Sequence, residues 1–158
     1  MKNTIRKALE RNDIKFQILR ESPFQIIYKM GVNLKHGRVD TFVDIRPELN
    51  RVLIYTMIPA IVPENKRMQI AEFITRANYG LMLGNFELDM NDGEVRFKNN
   101  FVYDDLTSES DVEFLTNLFI SFGIVDKYLP GIMSVIYTNV NPLAALGQIE
   151  NNIDPSLN

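Results

Sequence analysis

The clearest period along the chain is two. From Phe24 to Leu34 apolar and polar positions alternate, so Ile26, Tyr28, Met30, Val32 and Leu34 share one face of a strand. His36-Gly37 follows as a two-residue turn with Gly37 in the left-handed position. Pairing across it sets Leu34 against Val39, Val32 against Thr41, Met30 against Val43 and Tyr28 against Ile45. A second turn, Pro47-Glu48-Leu49-Asn50, sets Ile45 against Val52, Val43 against Ile54, Thr41 against Thr56 and Val39 against Ile58. Both turns bury the same face of the middle strand, and that agreement predicts a three-stranded antiparallel meander.

The opposite face of the meander is mixed. It carries Ile27, Phe42, Leu53, Tyr55 and Met57 among Lys29, Asp40, Asp44 and Arg46, with Phe42 opposite Tyr55 and Lys29 opposite Asp44. Three readings compete for it: cover by the molecule's own helices, a homodimer surface, and a groove for a client segment.

Elsewhere the period lengthens or changes. Residues 3–11 read as a short helix capped by Asn3 or Thr4, and Ile14, Phe16 and Ile18 as a short strand. Pro59 and Pro63 end the third meander strand. A helix opens at Pro63 or Glu64, with Ile70, Ile74, Ala77 and Leu81 on its buried stripe. Tyr79-Gly80 is its exit, with Gly80 in a left-handed cap. The stretch NYGLMLGNFELDMNDGEVRFKNNFVY, residues 78–103, then forms a hairpin with Asp92-Gly93 at its tip. Its register sets Met90 against Val95, Leu88 against Phe97 and Gly84 against Phe101. Asp89 then meets Arg96 and Glu87 meets Lys98 on the wet face, while Phe86 opposite Asn99 calls for a bulge near Asn99-Asn100.

Ser110 and Glu113 have capping-box spacing. Val112, Leu115, Phe119 and Phe122 form an apolar row, Pro130-Gly131 breaks or kinks the helix, and Asn141-Pro142 starts a last helix through about Ile149. Residues 1–150 thus make one domain and 151–158 a flexible tail.

Composition narrows the function classes. Apolar residues at 46% and charged residues at 23% fit a soluble globular domain. A net charge of −3 argues against a phosphate-backbone partner. With no cysteine there is no disulfide, thiolate metal site or thiol nucleophile. The N-terminus has no secretory h-region and the richest apolar stretch, Phe114 to Val125, is too short to span a bilayer, so cytoplasmic residence without a membrane is expected.

Candidate chemistry is sparse. His36, the sole histidine, reads as a turn residue rather than a base or metal ligand. Asp104, Asp105, Glu109 and Asp111 lack calcium-loop spacing, and Asn91-Asp92-Gly93 lacks the later bidentate glutamate. They suit loop solvation and a helix N-terminus better. Asp40 and Asp44 could pair as carboxylates, yet Lys29 across from Asp44 makes an ordinary surface pair. GLMLG, residues 80–84, lacks the Lys and Ser/Thr of a phosphate loop. No catalytic residue, metal or cofactor is expected.

The element order, with the motif at Asn78, Gly84, Asn85, Phe86, Glu87, Asp92 and Gly93 and the later NPLAALGQIE, resembles the YbjN-like bacterial domain family, described as "putative" sensory transduction regulators. The resemblance implies a fold similar to type III secretion chaperones: α+β, α-β-β-β-α-β-β-α, with an antiparallel sheet of five or six strands and helices on one face. It brings no catalytic residues and implies a chaperone-like or regulatory binder. Together these readings point to a non-enzymatic protein-binding module with a client-facing surface at Phe42, Leu53, Tyr55 and Met57. Its partner is a protein client or a second copy, and a small-ligand-sensing domain or an enzyme is the alternative.

Overall fold

The computed structural model describes residues 2–103 and 110–150. The chain runs α1 (Lys2–Arg11), β1 (Gln17–Glu21), β2 (Ile26–Asn33), β3 (Arg38–Arg46), β4 (Arg51–Ile61), α2 (Arg67–Tyr79), β5 (Asn85–Leu88), β6 (Glu94–Val102), α3 (Ser110–Tyr137) and α4 (Pro142–Glu150). The six strands form one antiparallel sheet in the order β1-β2-β3-β4-β6-β5. The fold is α+β with helices on one face. Ile14 and Phe16 precede β1 rather than lying in it, and Asn3 and Thr4 fall inside α1 rather than capping it.

Strand alternation decides which side chains meet the helices. Ile26, Tyr28, Met30, Val43, Ile45, Val52, Ile54 and Phe101 pack with α1 and the first half of α3. Val39, Ile58, Val95 and Phe97 pack with α2, α4 and the second half of α3. Between the two clusters runs a line of buried polar groups. Thr41 bonds Thr56 across β3 and β4, and Asn99 donates to the Asn117 carbonyl and to Ser121 of α3. Buried polar groups need such partners. These bonds fix how α3 lies on the sheet.

The β3–β4 register is the one expected, with Thr41 opposite Thr56 and Phe42 opposite Tyr55. Two other registers differ by two residues. Across β2 and β3, Val32 faces Val39 and Tyr28 faces Val43, because the turn is Lys35-His36, closed by Leu34 N–H donating to the Gly37 carbonyl. Gly37 is not left-handed. Across β5 and β6, Phe86 faces Phe97, Glu87 faces Arg96 and Leu88 faces Val95. A slip of two keeps every strand side chain on its face.

The second slip has local causes. Phe86 sits edge-on to Phe97 at 5.1 Å and to Tyr128 at 5.6 Å. The loop lengthens to residues 90–93, closed by Asp89 N–H to the Glu94 carbonyl and Gly93 N–H to the Asp89 carbonyl. Gly93 has φ 83°, and a Cβ there would lie 2.2 Å from the Val62 carbonyl oxygen. Met90 is thereby placed outside the core, half exposed, and Asp89 caps the loop by accepting from the Asn91 backbone instead of facing Arg96. The bulge expected at Asn99-Asn100 is absent, and β6 pairs with β4 in even register from Val102 to Arg96.

Three punctuating residues act differently from expectation. Pro59 does not end β4; the strand continues to Ile61 through an irregularity in its pairing with β6 between Met57 and Ile61. Gly80 is right-handed at φ −94°, and the left-handed residue beyond α2 is Gly84 at φ 69°.

Pro130 does not break α3. A proline at 130 cannot donate to the Asp126 carbonyl one turn earlier. That carbonyl is taken by His36 Nδ1 at 3.0 Å, and the His36 backbone N–H donates to Asp126 Oδ1 at 2.8 Å. Gly131 lets α4 and α2 pack close against the helix, because a Cβ there would meet Ile149 Cδ1 at 2.3 Å and Phe73 Cζ at 2.8 Å. The Pro-Gly pair is where α2 and α4 close on α3. The unbroken helix is long and apolar enough to cross a membrane by length and composition, but half of that stretch is buried on the sheet and the other helices, as in a core helix.

The N-cap of α4 is as expected, with Ala144 N–H donating to Asn141 Oδ1 at 2.8 Å. The capping box on Ser110, the acids Asp104, Asp105 and Glu109, and the tail from 151 lie outside the described residues and side chains.

Candidate partner-binding face

The helices pack on one face of the sheet, and among the described residues no element covers the other. Phe42, Leu53, Tyr55 and Met57 stand on this open face. Their neighbours in sequence, Val43, Val52, Ile54, Thr56 and Ile58, point into the core. All four of the open-face residues are half-buried, supported by one another and by adjacent side chains but not by a second layer. Cover by the molecule's own helices is therefore ruled out for the described residues.

Strand pairing builds the patch. Phe42 lies directly opposite Tyr55, Leu53 opposite Asp44, and Met57 and Tyr55 opposite Arg96 and Lys98 of β6. Both rings are covered by cations: Lys29 Nζ lies 5.5 Å from the Phe42 centroid, and the Arg96 guanidinium 4.7 Å from that of Tyr55. Such contacts contribute about 0.5–1 kcal/mol at exposed sites. Where β4 runs on past Met57, a groove of about 620 Å³ opens between Phe42, Met57, Pro59 and Ile61, bordered by Arg38 and Glu94. Ile61 is 64% exposed at its rim.

The carboxylates of this face are matched internally. Lys29 binds Asp40 at 2.7 Å, which corrects the expected partner Asp44. Asp44 is buried and receives two bonds from Arg46, both at 2.9 Å, and more from Gln25. Glu87 binds Arg96 at 2.8 Å and also Lys98. Burial alone would raise the Glu87 pKa, but the bonds from Lys98 and Arg96 and their charges outweigh it and hold the carboxyl below its usual range.

The other candidates have structural work. Asp40 and Asp44 share the face but bind different cations, so they do not form a paired-carboxylate site. His36 joins the β2–β3 turn to α3 through Asp126. Asp111 binds Arg11 at 3.1 Å. No cluster with metal-binding composition occurs among the described residues. Asn78, read from sequence only as part of a motif, clamps the outer edge of β5: its Oδ1 accepts from Phe86 N–H at 2.7 Å and its Nδ2 donates to the Phe86 carbonyl at 3.0 Å. An unpaired strand edge is open to further pairing, and this side chain occupies it.

Sequence reading missed Arg38, Arg51 and the Pro59–Ile61 rim as parts of the face. Parity along β3 and β4 carried the signal for the arginines. The proline at 59 concealed the rest of the strand.

A sheet with helices on one side and, on the other, an apolar patch that no described element covers can now be set beside known proteins. The family model described as "Putative bacterial sensory transduction regulator", YbjN, matches residues 2–124. The chain belongs to the YbjN family. Among solved structures, YbjN from E. coli, titled a putative transcription regulator, superposes with a TM-score of 0.57 at 18% identity, covering 80% of this chain and 88% of that one. A chain of the ExsC-ExsE complex superposes with a TM-score of 0.50 at 17% identity, covering 81% and 92%. At such identities these likenesses show the fold, which is the chaperone-like one that the sequence resemblance implied. No curated protein matches in sequence.

Proposed function

We propose that this YbjN-family chain is a non-enzymatic cytoplasmic binding module, chaperone-like or regulatory, that holds a segment of another protein on its open sheet face. The observation that carries the reading is the contrast between the two faces. One is closed by four helices. The other presents Phe42, Leu53, Tyr55 and Met57 without a covering layer among the described residues. Contiguous exposed apolar surface ringed by polar groups marks interaction sites in soluble proteins. The family description as a regulator and the likeness to a chain solved in the ExsC-ExsE protein complex support binding of protein.

The test is capture from native extract by the wild type and by the double variant Tyr55→Ser/Met57→Ser, with the mass of the complex measured in solution. The proposal expects a partner on the wild type and none on a folded variant. A particle containing two copies of the chain, dissociated by the same substitutions, would assign the face to self-association instead.

A further inference from the structure

The open face carries more than an apolar patch: its charge is unbalanced in a particular way. Its carboxylates, Asp40, Asp44, Glu87 and Glu94, each have an arginine or lysine partner within 4.0 Å. Three arginines on the same face have no carboxylate partner among the described residues. Arg20 donates to the Gln25 side chain, Arg51 donates to Asn100, and Arg38 lies over Gly31 without an ion pair. All three are exposed. The chain as a whole has a net charge of −3, so this face runs against the molecule's own sign.

The positions of two of these cations define a length. Counting from the Thr41–Thr56 pair, Arg51 lies five strand positions away in one direction and Arg38 three in the other. At a rise of 3.2–3.4 Å per residue the two stand roughly 26 Å apart. Phe42, Leu53, Tyr55 and Met57 lie between them, and the groove at Met57 and Ile61 adjoins Arg38.

Resting on the binding role proposed for this face, we infer that its occupant is an acidic peptide segment: an extended stretch of about eight residues, apolar in the middle, with a carboxylate near each end for Arg38 and Arg51. Arginine suits this role because its planar fork binds carboxylates in two places and is weakly hydrated. Complementary charge at the rim fixes register and partner choice, while the apolar centre supplies most of the affinity. Single-stranded nucleic acid fits less well. Such binding stacks bases on free aromatic faces, and here Lys29 and Arg96 cover the rings of Phe42 and Tyr55.

The experiment is selection of random peptides of about twelve residues on the immobilised full chain, repeated on Arg38→Glu/Arg51→Glu, with affinities of synthetic winners measured by fluorescence anisotropy. The wild type should enrich Asp or Glu on both sides of an apolar centre. Those peptides should bind the charge-reversed variant at least tenfold more weakly, and a fresh selection on that variant should enrich Lys or Arg instead. No peptide enriched, winners without acids, or equal binding by the charge-reversed variant would each overturn the inference. So would tighter binding of an oligothymidine strand than of any peptide. Tyr55→Ser/Met57→Ser separates the two levels. If it abolishes binding while charge reversal has no effect, the face is the site and the acidic partner is wrong. If peptides bind it unchanged, the face itself is wrong.

Discussion

Replacing His36 with alanine removes the side-chain donor from the Asp126 carbonyl and leaves the rest of the turn in place. His36 has no left-handed backbone to be strained by the change, and its backbone N–H still reaches Asp126 Oδ1. The Asp126 carbonyl has no helical substitute, because residue 130 is proline. An unmade hydrogen bond at a buried site costs about 1–3 kcal/mol. The His36 side chain is 38% exposed, so water takes up part of the loss and about 1 kcal/mol is the expected destabilisation. For a chain of this size that is a fall in melting temperature of about 2–4 °C. The informative step is a double-mutant cycle with Pro130→Ala. Alanine at 130 returns an N–H to the helix and satisfies the same carbonyl. In that background His36→Ala should cost less than half as much. Urea unfolding followed by circular dichroism reads both values, provided the slope with denaturant is unchanged. Costs that add within about 0.5 kcal/mol would show that the histidine does not substitute for the missing helix bond.

Other consequences follow from single contacts. Asn78→Ala strips both partners from the outer edge of β5 and should cost about 1–3 kcal/mol; light scattering should also show faster aggregation on warming, and unchanged behaviour would deny the clamp. Glu87 has its pKa depressed, so its contribution is complete above the ordinary value of 4.5 and disappears as pH falls through the folded-state value. Stability should therefore drop more steeply below about pH 4.5 in the wild type than in Glu87→Gln, and parallel acid limbs would contradict the assignment. Tyr28 is fully buried and its hydroxyl has no partner among the described residues. Tyr28→Phe should be neutral or stabilising by about 1 kcal/mol in urea, whereas a clear loss would mean that the hydroxyl is bonded.

Much of the fold was legible because strand alternation is robust to error. Two hairpins slipped by two residues, yet Tyr28, Met30, Phe86 and Phe97 stayed on the predicted side, since the side-chain period is itself two. What failed was punctuation. Pro130, Pro59 and Gly80 have strong local meanings, and none of them acts here as its local meaning predicts. A histidine 94 positions away in sequence satisfies what Pro130 leaves open, and no local pattern reports that. The open face was legible by parity, including Phe42 opposite Tyr55. Whether a layer covered it was not, because the faces on which helices settle depend on the long-range packing of α3. The unbalanced arginines were hidden for another reason. Charge partners across strands depend on register, and a slip of two set Lys29 opposite Phe42 instead of Asp44, from where it reaches diagonally to Asp40.

The central claim is that Phe42, Leu53, Tyr55 and Met57 form a surface for a partner and not a second core. Its most direct measurement is calorimetric titration of the captured partner into the wild type and into Tyr55→Ser/Met57→Ser, with both shown to melt cooperatively. Removing two anchors from the centre of an interface costs on the order of 2–4 kcal/mol. The account predicts a loss of affinity of roughly thirtyfold or more, with a melting temperature within a few degrees of the wild type. An unchanged affinity, or a variant that no longer folds, would contradict it.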